Sequence, residues 1–428
     1  MKYAFVILGF LVLSCAPSNV VPIDARVFVY LEGEVPSEEI GNRSEISLVT
    51  WNVLGLPDCV VATRPWRARI DGMAQTLLDA DADVIVLQEV FEPDLARGLF
   101  NRLKERYAHA YLHLNTNLTG LASGLCVFSK LEISDFRFTP HPYLLHSERW
   151  TTMGIVDFCV KSNGKRLAHI ASAHLQGSSR FSWRKGVSND GSEKTFAETR
   201  QSQSEAIINS GKYLPSSLPR YICGDFNVDR RDGEYMHSVL NPANSPVIDP
   251  MSKEFKLVPT STSFFKHLKA LWKNHPGIES EQLKEMAAAL LRFKDSLQPH
   301  LESDFWQTTL AHIDPSLFEE KLAELKGLIQ PQSEAEEKAW NHFVSESISA
   351  FNDERDAISS DTSTGHVTLA EIVQICGLPI DEALDYVLGV GKAHVSDIQI
   401  LRGYDVFDPE NTFSDHHPVY AKLSILKP

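Results

Sequence analysis

The chain has 428 residues, of which 43% are hydrophobic and 23% charged, and its formal net charge is −15. This length and composition are typical of a globular protein with either two or three average domains or one large domain with an insertion. The negative charge disfavours general electrostatic attraction to a polyanion, although an acidic enzyme can still reach a phosphate group through a metal ion.

The N-terminus is predicted to be a targeting segment. Lys2 precedes an apolar run over residues 3–13, which is too short to cross a bilayer as a helix and has the length of a signal-peptide core. Residues 12–15, Val-Leu-Ser-Cys, are similar to the bacterial lipobox, in which cleavage before the cysteine frees it for lipid attachment. We therefore expect residues 1–14 to be a signal peptide and the exported protein to be a lipoprotein anchored through Cys15. The alternative is a secreted protein with a chance cysteine at this position.

The cysteines after Cys15 are scattered and lack the paired spacing of a zinc site. Cys126, Cys159 and Cys223 lie in apolar, strand-like runs, where we expect them to be small buried hydrophobic residues. Cys59 and Cys376 complete the set. These five cysteines are an odd number, so they cannot all pair with one another in disulfides. Export would permit a disulfide but does not demonstrate one.

Strands and helices alternate after a leader, residues 15–45, that contains one strand-like run at 27–31. Such alternation indicates a layered α/β fold. The predicted helices span residues 67–80, 94–107 and 200–210, and the predicted strands span 46–49, 84–87, 125–129, 154–160, 167–174 and 221–223.

The pattern changes at Phe264 to a long stretch with helical periodicity, supported by helix-start signals at Asp314 and Ser333. β-type patterning returns near residues 385–388. We therefore predict one domain in two parts, 46–263 and 359–428, that is interrupted by an inserted all-helical segment, 264–358. Acidic residues outnumber basic ones in this segment, which argues against a nucleic-acid-binding arm.

Four short motifs place oxygen ligands and histidines at the ends of predicted strands. They are Trp-Asn-Val at 51–53, Leu-Gln-Glu-Val at 87–90, Gly-Asp-Phe-Asn at 224–227 and Ser-Asp-His-His-Pro at 414–418. The ends of adjacent strands meet at one rim of a sheet. Carboxylate and amide oxygens are ligands that Mg²⁺ prefers, together with retained water. One motif alone could be a turn, but all four in this order predict a metal-dependent phosphodiester-hydrolysing site.

The motif order resembles the endonuclease/exonuclease/phosphatase superfamily over residues 46–263 and 359–428. Within it, the chain is most similar to bacterial neutral sphingomyelinases. The resemblance implies a two-layered β-sandwich flanked by helices, which is the DNase I-like α/β architecture. The finer matches are Gly-Leu-Cys-Val-Phe-Ser-Lys at 124–130, Ala-His-Leu-Gln at 173–176, Thr-Arg-Gln-Ser-Gln at 199–203, Leu-Asp-Tyr-Val at 384–387 and Ser-Asp-His-His-Pro-Val at 414–419.

The resemblance also implies a metal site. Glu89 is expected to bind Mg²⁺, or another divalent cation, directly. Asn52 and Asp415 are expected to complete or flank its ligand shell through oxygen atoms. The cation would polarise the phosphoryl group and offset the negative charge that develops on it.

Five more residues are expected to be catalytic. His416 is expected to be the general base, since a neutral imidazole accepts a proton near pH 7, and Asp385 to orient it. Asp225 is expected to position the attacking water and Asn227 to donate to a phosphate oxygen. His174 is expected to stabilise the transition state or assist the leaving alkoxide.

Two departures from the family pattern bear on the substrate. The helical segment has no counterpart in the compact sphingomyelinase pattern, so it could alter access to the site. Leu54 stands where apurinic-type nucleases of the superfamily carry aspartate, which argues against that branch. Residues 224–229 do not match the inositol-phosphatase motif either.

The favoured function is a Mg²⁺-dependent phosphodiesterase that cleaves sphingomyelin or a related phospholipid in phospholipase C fashion at a membrane surface. An exported DNase I-like nuclease is the alternative, which makes nucleic acid the less favoured partner. An inactive adhesive lipoprotein is a third, and no protein partner is identifiable. Residues 264–273 and 181–185 combine basic and aromatic side chains, so each is either a lipid-contact segment or a packing face.

Overall fold

The computed structural model describes residues 28–56, 65–116, 121–177, 185–230, 234–242, 247–251, 381–401 and 413–426, with scattered residues between 261 and 368. The predicted signal peptide with Cys15, the residues Cys59 and Cys376, and the candidate lipid-contact residues 181–184 and 264–273 lie outside the described residues. None of the described helices is both long and apolar enough to cross a membrane.

Strands outnumber helices in the described part of the chain. The helices, numbered in chain order, are α1 Trp66–Ala80, α2 Pro93–Leu103 and α3 Phe196–Ser210, with a 3₁₀ turn at His146–Trp150 and a π turn at Met236–Leu240. The strands are β1 Val29–Glu32, β2 Glu45–Gly55, β3 Val84–Val90, β4 His109–Leu112, β5 Gly124–Ser129, β6 Glu132–Pro140, β7 Gly154–Ser162, β8 Lys165–His174, β9 Lys185–Val187, β10 Glu193–Thr195, β11 Arg220–Asp225, β12 Val247–Ile248, β13 Ser261–Thr262, β14 Thr309–Leu310, β15 Val367–Thr368, β16 Asp381–Glu382, β17 Asp385–Val390, β18 Val395–Ile400 and β19 Val419–Ser424.

Two mixed sheets form the centre of the fold. One sheet has the order β1-β4-β5-β3-β2-β19-β18, and the other has the order β12-β17-β11-β8-β7-β6. The pairs β2–β3 and β8–β11 are parallel, and the other pairs in these two sheets are antiparallel. The expected two-layered sandwich is therefore confirmed.

Apolar residues fill three layers of this sandwich. Strand residues such as Val86 and Phe158 form the core between the sheets. Ile70 and Leu99 pack α1 and α2 on the outer face of the first sheet. Ile207 packs α3 on the outer face of the second. Helices therefore cover both outer faces, which leaves the strand ends as the place where polar side chains can gather.

Strand register determines which side chains meet at that end. In the second sheet, Asp225 at the end of β11 pairs with His174 on β8 and with Asp385 on β17. Directly paired residues project to the same face of a sheet, so these three side chains lie side by side. In the first sheet, Asn52 on β2 pairs with Gln88 on β3. Both sheets therefore direct motif residues toward one rim.

Most of the predicted elements are confirmed, with shifted ends. β2 continues to Gly55, past the predicted end at Val49, and α2 ends at Leu103 rather than at residue 107. Helical residues occur between 319 and 348 in the predicted helical segment, but Thr309–Leu310 forms a short strand paired with Val367–Thr368. Apolar periodicity could not indicate a two-residue strand. The structure also confirms that Cys126, Cys159 and Cys223 are buried and free.

Gly224 on β11 lies where the backbone of β11 closely approaches that of β8. Its φ is +130°, and an added Cβ would lie 2.0 Å from the backbone oxygen of Ala173. Gly164 in the β7–β8 turn also has a positive φ, +73°, but a Cβ there meets nothing within 4 Å. We expect Gly164→Ala to cost about 1–2 kcal/mol of unfolding free energy, and Gly224→Ala to cost about 3 kcal/mol or more because overpacking adds to backbone strain. Urea unfolding of both variants measures the difference, and equal losses would contradict the packing argument.

Candidate active site

Asp225 lies at the centre of the predicted site residues. Its Oδ2 accepts a hydrogen bond from Asn52 Nδ2 at 2.9 Å and lies 3.5 Å from His174 Nε2 and 3.7 Å from His416 Nε2. Its Oδ1 accepts from the backbone N–H of Asn227 at 2.9 Å. One buried carboxylate thus joins side chains that come from both sheets.

His416 is held on its other side by Asp385. The distance from His416 Nδ1 to Asp385 Oδ2 is 2.8 Å, and both side chains are buried. A carboxylate can only accept, so Nδ1 carries the proton and Nε2 faces Asp225. This is the orientation that a histidine base needs, and the role of His416 as the general base stays a prediction.

Residues 414–416 are attached directly to the end of β2. Ser414 Oγ donates to the backbone oxygen of Asn52 at 2.6 Å and accepts from His416 N at 3.1 Å. Trp51 Nε1 donates to the backbone oxygen of His416 at 2.9 Å. The first and fourth motifs, more than 360 positions apart in the sequence, therefore form one hydrogen-bonded unit.

Asn227 and His174 form a second pair beside Asp225. Asn227 Nδ2 lies 2.9 Å from His174 Nε2 and donates to the backbone oxygen of Leu175 at 3.1 Å. Because the amide nitrogen donates, Nε2 of His174 is the acceptor and its proton sits on Nδ1. The predicted contact of Asn227 with a phosphate oxygen stays a prediction.

Glu89 fits the expected cation site. Its Oε1 accepts from Asn52 Nδ2 at 2.8 Å, while its Oε2 is buried without a hydrogen-bond partner among the described residues. Burial raises the pKa of Glu89, as does the charge of Asp415. Glu89, His174 and Asp225 each offer a ligand atom within 4.8 Å of the others. A buried carboxylate oxygen without a partner, beside further carboxylates, is a site that a divalent cation would satisfy.

The other two predicted metal ligands are placed differently from Glu89. Asn52 directs its amide nitrogen toward Glu89 and Asp225, while its Oδ1 accepts from Leu54 N at 3.0 Å. Asn52 is thus a hydrogen-bond donor in this arrangement. Asp415 is half-buried and close enough for its charge to raise the pKa values of Glu89 and His416. Metal coordination by Asn52 and Asp415 stays a prediction.

The backbone is strained where these side chains are presented. Leu54, Glu89 and Asn227 have φ values of +49°, +60° and +51°. The β2–β3 register shifts between Asn52 and Gly55. Left-handed conformations cost non-glycine residues about 1–3 kcal/mol each and cluster at functional sites. The irregular strand ends therefore aim Glu89 at the rim rather than along the regular pleat.

The charge around His416 affects its suitability as a base. Burial lowers the pKa of His416, but the carboxylates of Asp385, Asp225 and Asp415 outweigh this effect and hold its pKa well above the ordinary value. The imidazole is therefore a strong proton acceptor once it is neutral. Neutralisation of the surrounding carboxylates would lower this pKa and favour the neutral imidazole.

Two polar residues near the site, Glu148 and His141, carry no sequence signal that marks them as functional. Glu148, on the 3₁₀ turn, accepts from the backbone N–H of Gly177 at 2.9 Å, and burial raises its pKa to about 7. His141 lies 2.9 Å from the backbone oxygen of His174, and burial lowers its pKa to about 4. Neither belongs to one of the four motifs, so only the tertiary structure reveals them.

A model of the endonuclease/exonuclease/phosphatase family matches residues 49–416. The chain belongs to this family. The match spans the helical segment and includes all eight predicted site residues, from Asn52 to His416. It confirms the expected family, whose class of reaction is phosphoester hydrolysis.

Solved structures similar to the chain include a beta toxin, a sphingomyelinase C and TDP2. A beta toxin variant from Staphylococcus aureus with bound magnesium ions has a TM-score of 0.48 and 16% identity, covering 88% of this chain and 99% of that one. Sphingomyelinase C from Streptomyces griseocarneus has a TM-score of 0.44 and 16% identity, covering 88% and 99%. TDP2 from D. rerio, complexed with a single-strand DNA product, has a TM-score of 0.43 and 14% identity, covering 89% and 100%. No curated protein matches the chain.

The His416–Asp385 contact predicts strong coupling between two substitutions. His416→Ala should lower turnover at least about a hundredfold, the low end for loss of a general base. Asp385→Asn acts through the same imidazole, so the double variant should be far less impaired than the product of the single effects. Turnover of the four proteins measures this, with His417→Ala, the neighbouring histidine, as a control near wild type. Multiplicative effects would show that the pair does not act as a unit.

Glu148 predicts a pH dependence of stability. With a folded-state pKa of about 7 and an unfolded value near 4.3, the native state favours the protonated carboxyl. The contribution of this group to stability is therefore full below about pH 4.3 and is lost as the pH rises to about 7. Glu148→Gln mimics the protonated form, so the melting temperature of this variant minus that of wild type should rise over that interval in EDTA. A difference that stays constant with pH would contradict the assignment.

Proposed function

We propose that this protein is an exported, Mg²⁺-dependent phosphodiesterase that hydrolyses sphingomyelin or a related phosphocholine lipid in phospholipase C fashion. One arrangement supports the proposed hydrolysis. The imidazoles of His174 and His416 flank Asp225, and Glu89 Oε2 lies buried without a partner among the described residues in the same site. The motif matches at 173–176 and 384–387 and the leucine at position 54 support the lipid substrate over abasic DNA.

The attacking water would be activated between Asp225 and His416. Asp225 Oδ2 and His416 Nε2 lie 3.7 Å apart, so one water molecule could contact both atoms. Asp225 would orient it, and His416 Nε2 would accept its proton. Asp385 would stabilise the resulting imidazolium through the 2.8 Å contact with Nδ1.

His174 and Asn227 would act on the phosphoryl oxygens and the leaving group. Their side chains are joined at 2.9 Å on the opposite side of Asp225 from Asp385 in the sheet order. A phosphate oxygen entering between them would accept from Asn227 Nδ2, and from His174 once Nε2 is protonated, and these hydrogen bonds would strengthen as negative charge develops. A divalent cation held at Glu89 would supply Lewis-acid stabilisation of the same charge.

Membrane localisation is also part of the proposal. The signal-peptide pattern and Cys15 favour a lipoprotein, and anchoring would hold the enzyme near its lipid substrate. Globomycin, which blocks lipoprotein signal processing, should cause accumulation of the unprocessed precursor. Cys15→Ser should release processed protein or leave it uncleaved, and membrane association of processed protein in that variant would argue for another anchor.

The metal role of Glu89 gives a direct prediction. Glu89→Gln keeps the size and one oxygen but loses the charge, so most Mg²⁺-dependent turnover should disappear while the fold remains. Glu132→Gln is the matched control, since it makes the same change on a half-buried strand residue that pairs with Lys161. Turnover as a function of Mg²⁺ concentration is the measurement. Full activity of Glu89→Gln at limiting Mg²⁺ would overturn the assignment.

The substrate is tested by one panel of assays. Purified protein should release phosphocholine from sphingomyelin, or from phosphatidylcholine, in Mg²⁺ but not in EDTA, and should leave plasmid DNA intact. Cleavage of the plasmid with no release of phosphocholine would favour the exported nuclease. Cleavage of neither class would contradict the lipid proposal.

A further inference from the structure

Arg69 on α1 is buried and directs its guanidinium at backbone carbonyls in two separate segments. Nη1 donates to the oxygen of Val53 at 3.0 Å and also to the oxygen of Phe413, and Nη2 donates to the oxygen of Leu54 at 2.6 Å. Val53 and Leu54 directly follow Asn52, and Phe413 lies two positions before Asp415. One side chain therefore joins the segments that carry two predicted metal ligands.

A planar guanidinium suits this task because its donors point in fixed directions to several acceptors at once. Leu54 is in a left-handed conformation, φ +49°, at the irregular end of β2, where the regular ladder with β3 is interrupted. Buried carbonyls at such a place need donors from elsewhere. Arg69 provides them from a helix outside the sheet, which fixes the irregular segment in one position.

Gly72 supports the same contact one helical turn later. A Cβ at Gly72 would lie 2.0 Å from Cε1 of the Phe413 ring. Glycine thus leaves the space that the ring occupies, while Arg69 binds the backbone of the same residue. Phe413 is therefore held against α1 by the hydrogen bond from Arg69 to its backbone oxygen and by packing of its ring on Gly72.

We propose that Arg69 is a positioning residue for the cation site. It fixes the spacing between the Asn52 end of β2 and the Asp415 segment, with Gly72 seating Phe413, and thereby sets cation affinity. This inference rests on the proposed function, because it assumes that these segments flank a bound divalent cation. The sequence alone placed Arg69 only within an amphipathic helix.

The test is Mg²⁺ binding by isothermal titration calorimetry, which needs no substrate. Arg69→Gln and Gly72→Ala should each raise the Mg²⁺ dissociation constant by about tenfold or more, the usual effect of removing a residue that orients metal ligands. Arg69→Lys should be intermediate, since an ammonium cannot span all three carbonyls. Arg67→Gln is the matched control on the same turn, because Arg67 is largely exposed, and it should bind as wild type does. At saturating Mg²⁺, turnover of Arg69→Gln should approach wild type, unlike that of His416→Ala.

The outcomes separate this inference from the proposed function. If wild type binds no Mg²⁺, the metal-dependent function itself fails. If wild type binds Mg²⁺ and folded Arg69→Gln and Gly72→Ala bind it equally well, the positioning role is wrong while the function stands. If circular dichroism shows that Arg69→Gln is unfolded, Gly72→Ala decides alone: weaker binding supports the role and unchanged binding overturns it. Alanine has a higher helix propensity than glycine, so Gly72→Ala does not weaken α1 through backbone propensity.

Discussion

The rest of the site depends on the hydrogen bonds and close contacts that the buried carboxylate of Asp225 makes. It accepts from Asn52 and from the backbone of Asn227, and both histidines direct Nε2 toward the same oxygen. A buried charge without such partners would be strongly destabilising, so the surrounding donors are required for the fold as well as for chemistry. The two imidazoles are held by other contacts, His416 by Asp385 and His174 by the side chain of Asn227.

Strand register brings these groups together without local sequence proximity. His174, Asp225 and Asp385 are neighbours only because β8, β11 and β17 are adjacent and paired in that register. Gly224 permits the approach of β11 to β8, and the irregular ends of β2 and β3 turn Glu89 away from the pleat. This presentation costs backbone strain at a few positions, which the packed sandwich offsets.

The family resemblance predicted the sandwich, and the four motifs at strand ends predicted that their polar residues lie at one rim, because strand ends and family motifs are local patterns. They could not show that Asn52 presents nitrogen rather than oxygen to the carboxylates, since that depends on Leu54 N and on the charges opposite. Glu148 and Arg69 were beyond sequence reasoning for a related reason. Their roles come from backbone groups of distant segments, and a backbone group carries no residue-type signal.

The proposed hydrolysis depends on a cation held beside Asp225 at the unsatisfied oxygen of Glu89. The most direct measurement is an anomalous difference map from crystals soaked in Mn²⁺, which takes the same oxygen ligands as Mg²⁺. One strong peak is expected within coordination distance of Glu89 Oε2, between the strand ends of the two sheets. The cation site at Glu89 would be contradicted if the enzyme has full Mn²⁺-dependent activity in solution while the soaked crystal shows no peak at Glu89, or shows its only peak elsewhere.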